Sequence, residues 1–356
     1  MPGFARLSTH CKESRLPARL PRYLPDEWKG GVVMLIRVFV LSSFLDNIAA
    51  AMIGGTLATV LFKGRLHTGV RAAIVAASNA GGSGSVVGDT TSSTTTTMMW
   101  IAGVPPQQVL GAGVATVPAL RFFGVFAARQ QHAFQPITKD APAGNRVGGL
   151  RRVIVLTLLL AAIGANVYFT LPDPEVLAQV PVIGLAVWSA MLLTGWLHRR
   201  GWSLLPGATR GSMLLRSLVL CGSMMPVQNL PGASWRTAFG LGFVSAVFDN
   251  IRLTSLALHQ GGYDWGVLAY AVGFGGSMIW FGSSAGVALA GMFPQARSVG
   301  FWVTGGWHAA VGYLVGLACL LFTLGWYPGA ALRQTPSTNR LAPAPAAFAI
   351  HTESTP

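Results

Sequence analysis

The chain has 356 residues, of which 52% are hydrophobic and only 10% charged, against about a quarter charged in soluble domains. That balance excludes an ordinary soluble domain and points to an all-α integral membrane protein. The formal net charge of +14 does not point to nucleic acid. Lys and Arg fall mainly between apolar runs, as cytoplasmic loops do under the positive-inside rule.

Residues 1–30 read as a basic N-terminal arm, polar and Pro-rich, without the apolar stretch of a secretory signal. The apolar segments 31–45 and 48–62 follow, and they meet at Asp46-Asn47. Each is shorter than the roughly 20 residues of a spanning helix. The economical arrangement is a re-entrant hairpin, two half-helices entering and leaving by one face with Asp-Asn at the tip. Basic residues on both sides (Lys12, Arg15, Arg19, Arg22 and Lys29 before, Lys63, Arg65 and Arg71 after) put both ends of the hairpin in the cytoplasm.

Further apolar segments follow at 72–103, 109–127, 153–170, 181–197, 213–227, 238–258, 267–292 and 300–326. Alternation places 104–108 outside, the basic loop 128–152 inside, 171–180 outside and 198–212 inside. With 213–227 crossing despite Arg216, the stretch 238–258 forms a second hairpin around Asp249-Asn250, entering from the opposite face. The loop 259–266 has no Lys or Arg, which agrees. Residues 327–356, rich in Pro, Ala, Ser and Thr, read as a disordered tail.

Two pairs of motifs recur in the same order. "SSFLDNI" (42–48) aligns with "SAVFDNI" (245–251), and "GGSGSVVG" (81–88) with "GGSMIWFG" (275–282). An ordered recurrence marks an internal repeat: a first repeat over 31–127 and a second over 153–326, joined by the 128–152 loop. Repeats of opposite topology bring two hairpin tips together near the midplane. Gly-Gly inside a spanning segment weakens the helix, and unwound backbone at that depth is tolerated where it lines a cavity.

The oxygens of Asp46, Asn47, Ser83, Asp249, Asn250 and Ser277 then suit a small hard cation, with Asp46 and Asp249 as its candidate carboxylate ligands. A carboxylate at membrane depth is by default a functional candidate, and of the 11 acidic residues only Asp46, Asp89 and Asp249 fall within the spans. Protons and metal ions compete for such a group, which is a basis for cation/proton exchange. The plainer readings are that each Asp-Asn caps the second half-helix of its hairpin and that each Gly-Gly-Ser serves close helix packing.

Other features carry less. "GSSAG" (282–286) fits the Gly-x-Ser-x-Gly pattern around Ser284, but the strand–turn–helix context of a serine hydrolase is missing. His67, His198, His259 and His308 have no metal spacing, and a satisfied polar contact is expected for His308. Cys11, Cys221 and Cys319 match no metal or redox spacing. No phosphate-binding loop or haem motif is present, so no resident cofactor is expected and an ATP-driven pump has no support.

"LDNIAAAMIGG", "ASNAGGSGSVVGDTT" and "TTMMWIAGV", with "FVSAVFDNI" and "LAYAVGFGGSMIWFGSSAGVA", resemble the NhaD-type sodium/proton antiporters of the ion transporter superfamily. That superfamily also holds citrate, dicarboxylate and arsenite carriers. The resemblance covers about residues 25–327. It implies an inverted-repeat transporter fold with two re-entrant hairpins and two broken transmembrane helices, exchanging Na+ or Li+ for H+ in the cell's inner (plasma) membrane. The site it implies has Asp46, Asn47, Asn79, Gly81, Gly82, Ser83, Asp89 and Thr90 in one half. Asp249, Asn250, Gly275, Gly276, Ser277 and Ser283 form the other.

Membrane lipid and a small cation are the expected partners, and a homodimer is compatible. The sequence departs from the family pattern in three ways. Three apolar segments precede the second hairpin and none the first, so the first repeat is expected to be incomplete, without the family's N-terminal helices. The Thr tract after Asp89 is longer by about four residues, and Arg252 follows the second Asp-Asn. A sodium-coupled carrier of citrate, dicarboxylates or oxyanions and a non-transporting membrane remnant are the alternatives.

Overall fold

The computed structural model describes residues 23–85, 107–138, 149–170, 182–195, 231–248 and 250–329, with isolated residues between 209 and 220. These residues form helices α1 (Glu27–Ser42), α2 (Asn47–Leu61), α3 (Thr68–Ser83), α4 (Gln107–Phe134), α5 (Gly149–Thr170), α6 (Val182–Gly195), α7 (Trp235–Ser245), α8 (Asn250–Gln260), α9 (Trp265–Gly275), α10 (Ser284–Met292) and α11 (Val299–Thr323). A 3-10 turn, Pro294–Arg297, precedes α11. No strand occurs among the described residues.

Two stretches, Gly111–Phe134 and Val299–Thr323, are long and apolar enough to cross a membrane. All-helical structure with such stretches is consistent with a helical membrane protein. Two boundaries differ from the sequence reading. Helix α1 begins at Glu27, inside the expected arm, and α4 continues to Phe134, well into the expected 128–152 loop.

The breaks fall where the polar pairs lie. Helix α1 stops at Ser42 and α2 starts at Asn47, capped by Asp46, whose carboxylate accepts the Ile48 N–H at 3.4 Å. Helix α7 stops at Ser245 and α8 starts at Asn250. Helix α9 stops at Gly275 and α10 resumes at Ser284, capped by Ser283, whose hydroxyl accepts the Gly286 N–H at 3.2 Å. A polar side chain serves each cap because the first N–H groups of a helix have no partner within it.

Helices α3 and α9 are the centre. Every described residue of α9 and all of α3 from Gly69 to Ser83 are buried, as expected of helices without a polar face. They pack on each other. Around α3 lie α1, α2, α4, α10 and α11; around α9 lie α4, α7, α8 and α11. A smaller apolar cluster joins α5 and α6 (Ile154, Leu158, Val187) to Leu45, Ala49 and Met52 near the first break.

The same contacts recur in both halves at the positions the sequence repeat aligns. Ser42 donates to Ser78 O at 2.6 Å, and its counterpart Ser245 donates to Val272 O at 2.7 Å. Gly81 lies against Phe39 O, and its counterpart Gly275 against Gly242 O, so closely that no Cβ fits at either place. The expected unwinding is therefore absent at Gly81-Gly82, which remain helical. Close packing is what Gly81 and Gly275 provide, as small residues do where helices approach. A Cβ at either position meets backbone, which cannot swing aside. Gly81→Val and Gly275→Val are each expected to lower unfolding stability by about 1–3 kcal/mol, read as a drop in the thermal midpoint of the purified protein.

The ends of the two hairpin-like pairs lie at opposite ends of α11. Near its Val299 end are Gly30 against Ile137, the Thr138 N–H on Leu61 O, and Gly69 against Gly305 O. Toward its Thr323 end, Tyr263 reaches Pro231 O, the Gly329 N–H reaches Tyr263 O, and the Tyr327 N–H donates to Asp264 at 2.8 Å.

His67 caps α3, its Nδ1 accepting the Gly69 N–H at 3.0 Å, a bond only the neutral ring accepts. Burial first, and to a lesser degree the Arg71 charge, hold its pKa below the ordinary 6.5, while the nearby Gln130 side chain acts in the raising direction. Its contribution is therefore fully present above pH 6.5 and is lost as pH falls through the lowered folded value. His67→Asn keeps an acceptor without the titration, so its thermal midpoint should lose that acid-side decline.

Candidate functional site

Four of the interrupted or central segments meet in one buried chain of hydrogen bonds. The Ser284 hydroxyl donates to Asn47 Oδ1 at 3.3 Å, Asn47 Nδ2 donates to Asn79 Oδ1 at 3.2 Å, and Asn79 Nδ2 donates to Ser277 Oγ at 3.0 Å. Trp302 of α11 donates its indole N–H to Ser277 O at 3.3 Å. Asn47 is 1% exposed, and Asn79 and Ser277 are fully buried. The chain thus ties the start of α2, the second half of α3, the α9–α10 break and the start of α10 into one unit.

Its chemistry is one-sided. Each amide group spends an N–H within the chain, and the oxygens of Asn47, Asn79 and Ser277 are gathered along it. Asp46, half-buried beside Asn47, adds a carboxylate. The set is oxygen-rich, and hard cations prefer oxygen ligands.

A second contact lies across from the first. The positions that align with Asn79 and Ser277 are Gly273 and Ser83, and these touch: a Cβ on Gly273 would lie 2.8 Å from Ser83 Cβ. Ser83, fully buried, donates to Ala80 O at 3.2 Å. A contact and its reciprocal between equivalent positions is what a two-fold relation generates. The relation is broken in chemistry, because an amide stands on one side and Gly273 on the other.

The remaining expected positions divide as follows. Gly82 is buried within α3, Gly276 begins the α9–α10 break with its Cα face against Gly282 O, and Asn250 is buried at the start of α8. Asp89, Thr90 and Asp249 lie outside the described residues, as does the side chain of Arg252. Both plainer readings are visible in part: Asp46 caps α2, and Gly81 and Gly275 lie in close helix contacts. Ser283 caps α10.

Two members escaped the sequence reading. Ser284 had been weighed only as a hydrolase nucleophile; it follows the cap residue Ser283, and a hydroxyl at the first turn beyond a helix break is the signal that would have marked it. Trp302 lies in the last apolar segment, and nothing in the sequence alone singles it out. His308 differs in the other direction. It is 1% exposed, and neither ring nitrogen has a partner among the described residues, so the satisfied contact expected for it is not found there.

No family model matches the chain. A stretch of 98 residues is 38% identical to sodium/proton antiporter 1 of Arabidopsis thaliana, covering 24% of this chain and 16% of that protein. The similarity is thus confined to a minor part of both.

Asn79 is the residue on which the polar chain turns. Asn79→Leu keeps the volume but strands Asn47 Nδ2 and the Ser277 hydroxyl, and is expected to cost about 1–3 kcal/mol of stability. In a double-mutant cycle, Asn47→Ala and Asn79→Ala should be non-additive by at least about 0.5 kcal/mol, measured by denaturant unfolding.

Proposed function

We propose that the chain is a secondary transporter exchanging Na+ or Li+ for H+ by alternating access. The observation that carries this reading is the buried chain from Ser284 through Asn47 and Asn79 to Ser277, an oxygen-rich cluster where helices are interrupted. The partial similarity to a sodium/proton antiporter supports cation/proton exchange in general.

The reciprocal Asn79–Ser277 and Gly273–Ser83 contacts support an inverted repeat. So does the placement of the two helix pairs at opposite ends of α11. On this reading α1–α2 and α7–α8 are the two re-entrant hairpins, and α3 and α9–α10 belong to the two broken helices.

In the proposed cycle, Asp46 loses its proton and, with the oxygens of Asn47, Asn79 and Ser277, admits the cation. Reprotonation on the other side of the membrane releases it. Asp249 has the equivalent place in the second half, and Asp89 is a third proton-carrying group; Thr90, Gly81, Gly82, Gly275, Gly276, Ser83, Ser283 and Asn250 shape the surround. No cofactor takes part: the cargo is Na+ or Li+ and H+, and the setting is the lipid of the cell's plasma membrane.

The test is expression in cells without their own sodium/proton antiporters, followed by everted vesicles carrying a preformed pH gradient. Added Na+ or Li+ is expected to collapse the gradient. Asp46→Asn, which cannot ionise, should reduce the rate at least about a hundredfold while membrane insertion is unchanged. An intact gradient with the protein inserted would overturn the reading.

A further inference from the structure

The end of the molecule that carries the basic loops holds a cation whose presence the ion site does not explain. Arg71, one turn into α3, is 6% exposed. Its guanidinium lies over the Phe293 ring at 5.3 Å, Nη2 donates to Gln295 Oε1 at 3.1 Å, and Nε is buried without a hydrogen-bond partner. Four acidic residues are described. Asp26 and Glu27 lie at the start of α1, Asp46 at the α1–α2 break, and Asp264 caps α9 at the far end.

No described carboxylate pairs with Arg71, and a buried charge without a counter-charge is strongly unfavourable. The surroundings add positive potential. Arg71 stands in the first turn of α3, where the helix dipole is positive. Arg297, exposed, follows Gln295 by two residues and donates Nε to Ala290 O at 3.3 Å. Lys63 and Arg65 are exposed on the connection from α2 to α3.

Beside this basic corner lies bare hydrocarbon: Val299 and Phe301, at the start of α11, are 41% and 69% exposed. A ligand that answers both needs a negative head and an apolar body. We propose that Arg71, with Gln295 and Arg297, binds the phosphodiester headgroup of an anionic phospholipid whose acyl chains lie along the start of α11. A phosphate at the outer edge of the guanidinium, beside the exposed Gln295 and Arg297, would supply the counter-charge that Arg71 lacks among the described residues, as Arg–phosphate pairs do. The face is the one the positive-inside rule assigns to the cytoplasm, whose leaflet is anionic. A free inorganic anion shares the head chemistry but leaves the adjoining apolar face uncovered.

The proposal needs no ion gradient, so it is tested apart from transport. The purified chain in a neutral detergent is titrated with phosphatidylglycerol, with phosphatidylcholine or with inorganic phosphate, and the thermal midpoint is followed. Phosphatidylglycerol alone is expected to give a saturable rise. Arg297→Gln should weaken its apparent affinity by about fivefold, the worth of one basic residue at an anionic surface. Arg71→Gln should abolish the saturable response; if that variant does not fold, Arg71→Lys, which keeps the charge but loses the fork, should weaken it.

Native mass spectrometry of the unaltered chain should retain phosphatidylglycerol in preference to phosphatidylcholine. Equal shifts with the two lipids, or an unchanged response in the Arg71 variants, would overturn the proposal. A saturable rise with inorganic phosphate that matches the lipid would replace it with a free-anion site.

Discussion

Asn79 holds this structure together at its most demanding point. It lies in the second half of a helix buried on all sides, one turn from its end, where an amide is costly unless it is hydrogen-bonded. It is satisfied by two partners from distant parts of the chain: Asn47 at the start of α2 and Ser277 in the α9–α10 break. Both partners are where helices stop, and the stops are what free their side chains to point inward. The helix interruptions and the polar chain therefore require each other.

The surrounding packing is arranged so that these interruptions can be brought close. Gly81 and Gly275 let α3 and α9 lie against the backbone of α1 and α7, and the Ser42 and Ser245 hydroxyls fasten the same neighbours a turn away. These contacts occupy equivalent places in the two halves, while the polar chain does not. Asn79 has only Gly273 opposite it. Among the described residues, the oxygen-rich chain joins α2 and α3 to the α9–α10 break.

Charge is distributed along the molecule by a different rule. Basic side chains gather at the end where α3 and α11 begin, including Lys63, Arg65, Arg71 and Arg297, and the described acidic side chain at the other end is Asp264. Arg71, without a described carboxylate partner, and Asn79 lie eight residues apart on α3, roughly 12 Å at 1.5 Å per residue.

Much of the architecture was legible from the sequence. Apolar runs broken at Asp46-Asn47 and Asp249-Asn250 gave the helix stops to within a few residues, because a polar pair and a cap residue act locally. The recurrence of Ser-x-x-x-Asp-Asn-Ile and Gly-Gly-Ser identified the equivalent positions that later proved to make equivalent contacts. Asn47, Asn79 and Ser277 were singled out on residue type and motif. What sequence alone did not decide was which polar groups meet. Asn47 and Ser284 are 237 positions apart and Asn79 and Ser277 198 apart, so no local pattern links them. Nor could it distinguish an unwound Gly-Gly from a packed one: Gly81 is held helical by the Phe39 carbonyl against it, a neighbour that only the tertiary fold supplies. The sequence determined where the helices must stop; the folded chain decided which stops face one another.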